Sequence, residues 1–181
     1  MSVIFPLSNY FIGVKDIVSD DYLSSRKKIE QLEKDYPTLG LHVSVEAVIV
    51  AHEHNHPLIF TPGGFLKIGE DEVEGLKRIL NDLLAPVNET IEWEIGEVIS
   101  HWWRPHFTMD MYPYPLPHIK QQKELKKVFL VGLPEKCTFS VPKAFKVAAV
   151  PMIDVYENRA NFGAIISSIP HVLSRFQFVF A

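Results

Sequence analysis

The sequence reads as one domain of the α/β class, a sandwich of strands with two or three helices. Its 181 residues match the size of one domain and are enough to close a core without disulfides or structural metals. Hydrophobic residues at 47% and aromatics at 12%, with only nine glycines, exclude disordered, collagen-like and low-complexity classes. Short β-branched runs are mixed with amphipathic stretches, without internal repeats or a linker, which is the pattern of an α/β sandwich.

In chain order, "DDYLSSRKKIEQLEKDYPTLG" offers Asp20 or Asp21 as a helix cap, then Leu23, Ile29, Leu32 and Tyr36 near helical spacing, then Pro37 and Gly40 as stop signals. "HVSVEAVIVAHEHNH" reads as a strand whose second half alternates, placing His52, His54 and His56 on one side. "HPLIFTPGG" carries a short strand into a Pro-Gly-Gly turn. "GEDEVEGLKRILNDLL" is a helix with acids in its first turn, where the helix dipole favours them, and Val73, Leu76, Ile79, Leu80, Leu83 and Leu84 on one face. Further strands are expected near 91–103, 127–133, 137–141 and 145–155, and a terminal helix from about Ser167 or Ser168, broken before "FQFVF". Between them, "RPHFTMDMYPYPLPH" is an extended aromatic loop of a length usually tied to function.

Several functional classes fall away early. No apolar run approaches the roughly 20 residues needed to span a bilayer, and the opening "MSVIFPLSNYF" lacks the pattern of a signal peptide, so an intracellular protein without membrane contact is expected. The single cysteine, Cys137, lies in an apolar stretch and reads as a buried thiol. A net charge of −4 argues against holding nucleic acid mainly by phosphate neutralisation, so a nucleic-acid partner would have to be read through its bases. The three histidines could meet a metal, but a strand spaces alternate side chains about 7 Å apart, which is wide for one tetrahedral site; a polar strand end is the plainer reading.

Residues 64–85 resemble the Nudix box, G-x5-E-x7-R-E-U-x-E-E-x-G-U, with U a bulky aliphatic. Gly64, Glu70 and Arg78 fall on its first three fixed positions. The later glutamates of that box share a helix face and hold divalent metal against a pyrophosphate, which is hard-cation chemistry requiring oxygen ligands. Here those places read Ile79, Asp82 and Leu83, and the closing glycine is Ala85. Ile79 and Leu83 extend the helix's apolar stripe, and each contributes about 1.5–3 kcal/mol on full burial. The resemblance therefore implies a Nudix-type α/β/α sandwich with a mixed sheet, with no catalytic residues, no metal and no cofactor.

Beyond the box, "GEDEVEGLKR", "WWRP", "YPY", "VFLV", "VPK" and "GAIISSIPHVLSRFQF" resemble the family of 25-kilodalton subunits of pre-messenger RNA cleavage factor I, over about Phe5 to Phe178. The resemblance implies a homodimer in the nucleus that binds the single-stranded RNA element UGUA upstream of a poly(A) site. It implies a larger cleavage factor I subunit docked through its RNA-recognition-motif domain, and poly(A) polymerase as a further partner. On that pattern residues 1–40 are an N-terminal extension and helix, 41–155 the Nudix core and 156–181 a dimerisation segment.

The implied site residues follow from the same resemblance. An acidic and arginine pair that contacts the guanine falls near Asp20 and Lys28, with Arg26 the nearest arginine; either Arg26 takes the role or guanine discrimination is weaker. Glu46 matches a glutamate at the first uracil, and Phe162 and Gly163 match a tyrosine and glycine beside the RNA. The segment before Pro62-Gly63-Gly64 is about ten residues shorter than the family's hairpin, leaving Phe60 as its stacking candidate or as a core ring. Tyr112 and Tyr114 match the tyrosines that grip the large subunit, and Val172 and Leu173 the dimer contact. Trp102 and Trp103 read as core and rim packing. Two alternatives stand beside this: a scaffold subunit without RNA recognition, and a residual nucleotide-binding hydrolase using Glu70 and Asp82.

Overall fold

The computed structural model describes residues 2–16, 24–143 and 148–181. Its centre is a mixed sheet in the order β6 (Glu94–Arg104), β7 (Glu124–Gly132), β3 (His42–Glu53), β4 (His56–Phe60), β9 (Val150–Pro151). β3 runs parallel to β7 along His42–Ile49, while its other edge takes β5 (Gly63–Phe65) at Ser44–Glu46 and β4 at Ile49–Glu53, both antiparallel. Two parallel pairs flank the sheet: β1 (Ser2–Ile4) with β10 (Phe178–Phe180), and β2 (Tyr10–Lys15) with β8 (Cys137–Pro142).

The pleat of β3 sorts the core into two halves. Val45, Ala47, Ile49 and Ala51 face helix α2 (Glu72–Leu84), whose Leu76, Ile79, Leu80, Leu83 and Leu84 close one buried cluster with Trp93 and Phe139. Val48 and Val50 face the opposite way, onto Val155 of the short α3 (Met152–Val155) and Ile169 and Leu173 of α4 (Arg159–Leu173). Helices thus cover both faces, giving the α/β/α sandwich. Among the described residues no helix is long and apolar enough to cross a membrane.

Helix α2 forms where its acidic start and apolar stripe predict. Asp71 caps it by accepting from the Val73 and Glu74 amides at 3.0 and 3.1 Å, satisfying donors that have no partner inside the helix. At its other end Lys15 donates to the Asp82 and Ala85 carbonyls at 2.8 and 2.7 Å, a cation at the negative end of the dipole.

Four expectations are corrected. The first helix, α1 (Ser25–Leu39), is capped by Ser24, and it runs past Pro37 to Gly40; Asp20 and Asp21 lie outside the described residues. His52, His54 and His56 do not share a strand face. His54 and Asn55, at φ 50° and 63°, make the two-residue turn between β3 and β4, with Glu53 paired to His56. His52 is buried, its Nε2 3.1 Å from the Ala181 carbonyl oxygen. Of the stretch expected as a strand over 145–155, residues 145–147 lie outside the described residues, and within the rest only Val150–Pro151 is strand before the chain turns into α3, with Pro151 as the N-cap. The terminal helix begins at Arg159 rather than near Ser167, and is broken at Gly163, whose φ of 79° is left-handed.

Candidate nucleic-acid interface

Between the start of α1 and the break in α4, the sheet is left uncovered over β3 and β7, and a groove of about 310 Å³ opens there. Glu46 rises from β3 as its floor, only 8% exposed, and Lys126 of β7 holds it with Nζ 3.1 Å from Oε2. Lys28 enters from α1, and Phe162 and Gly163 line the opposite wall. Four expected residues, Glu46, Lys28, Phe162 and Gly163, are therefore brought together by three separate elements.

The floor is a wired set of charges. Glu124, 3% exposed, accepts from Arg104 Nε at 2.7 Å and from the Ser44 hydroxyl at 2.6 Å. Burial pushes the Glu124 carboxyl up, but Arg104, Lys126 and those two hydrogen bonds outweigh it, so the group titrates below the usual carboxylate range. Glu46 beside it raises the Lys126 ammonium, keeping that side chain charged, whereas burial and then the nearness of Lys126 push Lys28 down. A carboxylate acceptor, two ammonium donors and a ring face within one groove can pair with the edge of an unstacked base and cover its plane.

Arg26 does not join them. Its side chain is 91% exposed and pairs with Glu30 at 3.5 Å. Residues two apart on a helix point in different directions, so with Lys28 facing the groove Arg26 must face water. Phe60 is also elsewhere: it sits opposite Ile49 on β4, and cross-strand partners share a face, so its ring packs against the α2 cluster on the far side of the sheet. Arg104, Glu124, Lys126, Phe65 and Met111 line the groove without having been singled out from sequence. The period-two alternation through Ser44, Glu46 and Val48 was a usable signal for the face, but which residues of β6 and β7 stand beside Glu46 depends on long-range register.

Tyr112 and Tyr114 lie in the long loop. Tyr112 exchanges both backbone hydrogen bonds with Trp103, at 2.8 and 2.9 Å, which pins the loop to β6, and the two phenol rings stand 6.3 Å apart. Tyr114 is 54% exposed, and both rings border an open concavity of about 660 Å³ with Tyr156 and His171. Val172 packs partly buried against the α3 and α4 core. Leu173, at 2% exposure, is core of the single chain, a correction to its placement on a self-association surface. Trp102 is buried, and Trp103 is half-buried beside His101.

The box residues take a structural arrangement. Arg78 grips Glu70 with two donors, Nε to Oε1 at 2.7 Å and Nη2 to Oε2 at 2.9 Å, and the Lys67 amide adds a third at 2.8 Å. Ile79 and Leu83 are 7% and 2% exposed. The hydrogen bond from Arg78 comes first among the causes that hold the Glu70 carboxyl at about 2. A depressed carboxylate contributes stability that is complete above its unfolded value and is lost as pH falls through the folded value. Urea midpoints are thus expected to drop between about pH 4.3 and about pH 2, with the Glu70→Gln variant less stable at pH 7 and less sensitive in that window.

A sheet between helices, with a strand, loop and helix bearing Gly64, Glu70 and Arg78 in turn, defines the Nudix class of protein. A family model described as a nucleotide hydrolase, NUDIX_2, matches residues 1–176. Pre-mRNA cleavage factor Im 25 kDa subunit 2 of Arabidopsis thaliana is 40% identical over 186 residues, covering 96% of this chain and 93% of that protein. Cleavage and polyadenylation specificity factor subunit 5 of Dictyostelium discoideum is 41% identical, covering 96% and 92%. Pre-mRNA cleavage factor Im 25 kDa subunit 1 of Arabidopsis thaliana is 42% identical, covering 97% and 84%. The chain belongs to the Nudix family and, within it, to the group of pre-mRNA cleavage factor 25 kDa subunits.

Proposed function

We propose that this protein is a non-catalytic, RNA-binding subunit of the nuclear machinery that cleaves and polyadenylates pre-mRNA. It recognises a short UGUA-type single-stranded element in the groove over Glu46, and recruits a larger subunit through the concavity bordered by Tyr112 and Tyr114. Val172 belongs to the surface by which two copies associate, as the family resemblance implies. The observation that carries the reading is the meeting of Glu46, Lys126, Lys28 and Phe162 in one groove. The names of the relatives support the process, and the aliphatic pair Ile79 and Leu83, buried where a hydrolase of this class holds its metal-binding acids, supports the absence of catalysis.

Bases are read here by hydrogen bonds and stacking, which suits a chain of net charge −4. A mismatched base typically costs about 1–3 kcal/mol, so in a fluorescence titration a UGCA oligonucleotide is expected to bind about tenfold more weakly than UGUA. A CGUA oligonucleotide, altered at the first uracil that the family resemblance assigns to Glu46, should also bind more weakly, and Glu46→Gln should erase most of that second difference. The affinity should fall only gently with salt, with the slope of about two or three neutralised phosphates. Equal affinities for UGUA and UGCA would leave a scaffold subunit without RNA recognition.

A further inference from the structure

The geometry points to the ring of Phe65 as a base-stacking platform of the groove, an assignment that rests on the RNA-binding reading above. Phe65 ends β5 directly opposite Ser44, and the same strand brings Gly63 opposite Glu46. Cross-strand partners share a face, so the Phe65 side chain leaves the sheet on the side of Ser44 and Glu46. β5 can lie this close to β3 only because residue 63 is glycine: a Cβ there would stand 2.5 Å from the Val45 carbonyl oxygen and 2.9 Å from the Glu46 Cα. The platform is thereby fixed beside the carboxylate that floors the groove.

The surroundings of the ring are unlike those of a core phenylalanine. Leu66, the next residue, packs against the α2 cluster, whereas Phe65 belongs to neither buried cluster and stays half-buried. It lines the groove that holds Glu46, Lys126 and Phe162, and it also lines an adjoining hollow of about 640 Å³ between α1 and the loop before α2. The ring stands where the two hollows meet. His42 meets it nearly edge-on, with centroids 5.9 Å apart and planes at 79°, which sets its tilt. A flat apolar face beside a charged, hydrogen-bonding floor is what an unstacked nucleobase requires, its edge read by the floor and its plane covered by the ring. Phe162 lines the same groove from the α4 side, so bases have an aromatic surface at each end.

The test uses the full chain and UGUA-containing RNA with 2-aminopurine in place of its adenine, titrated at fixed salt against wild type, Phe65→Tyr, Phe65→Leu and Phe65→Ala. Phe65→Leu keeps the apolar bulk and removes the π face, so it separates stacking from folding; thermal melts establish that each variant is folded. The expected result is binding about tenfold weaker or more for Phe65→Leu and Phe65→Ala, near-wild-type binding for Phe65→Tyr, and an unchanged salt slope, because stacking involves no phosphate. Wild-type affinity in folded Phe65→Leu, with UGUA still preferred over UGCA, would overturn the role of Phe65 alone. Absence of that preference in the wild type would overturn the RNA reading and this inference with it.

Discussion

The Leu83→Glu variant is expected to lose about 4 kcal/mol of stability or more, and to gain no metal site. Leu83 is 2% exposed, packed between α2 and β3 in a cluster with Ile79, Leu80 and Trp93. Removing a buried leucine costs about 2–5 kcal/mol, and a carboxyl left without a partner in that place adds a penalty of its own. Against a typical total of about 5–15 kcal/mol, such a change removes a large share of the folded state's margin. Leu83→Met, which keeps apolar volume, should cost under about 1.5 kcal/mol. Urea denaturation of the two variants checks the pair. A loss under about 1 kcal/mol for the glutamate would mean that this helix face opens to water and can still host a cation.

Removing Glu124 should be nearly as damaging, for the opposite reason. Its partner Arg104 has a side chain only 10% exposed, and the same guanidinium also donates to the Thr108 carbonyl at the start of the long loop. Breaking a buried ion pair by deleting one member costs about 3–5 kcal/mol, because the remaining charge stays buried. Glu124→Ala is therefore expected to lower the urea midpoint strongly and to weaken RNA binding by disturbing the neighbouring Glu46 and Lys126. The double change Glu124→Ala with Arg104→Met should recover part of the stability without recovering binding. Recovery of neither would place the damage outside the pair.

Much of this architecture was legible in the chain, and the failures have physical causes. Helix α2 was readable because its Asp71 cap, acidic first turn and apolar stripe all agree. Helix α1 overran Pro37 because a proline so near a C-terminus disrupts only the final turn, and the cap at Gly40 still closes the helix through the Tyr36 carbonyl. The start of α4 was misplaced by eight residues because Gly163 interrupts the helical period, and that same break gives the groove one wall. Within the site, Glu46, Lys28, Phe162 and Gly163 all came from family likeness. Phe60, open as a stacking candidate or a core ring, was settled as a core ring by parity: the side of the sheet a β4 residue faces is set by its pairing with β3, and that pairing is fixed by the tight turn at His54 and Asn55. The Arg104 and Glu124 pair was unreadable locally, since its members lie 20 positions apart in the sequence, across the long loop.

The most direct test is incubation of the purified protein with diadenosine tetraphosphate and magnesium, with products resolved by ion-exchange chromatography. With Ile79 and Leu83 sealed into the core and Glu70 engaged by Arg78, product should form no faster than in a protein-free control, for wild type and Glu70→Gln alike. Magnesium-dependent turnover by the wild type that disappears in Glu70→Gln would contradict the account.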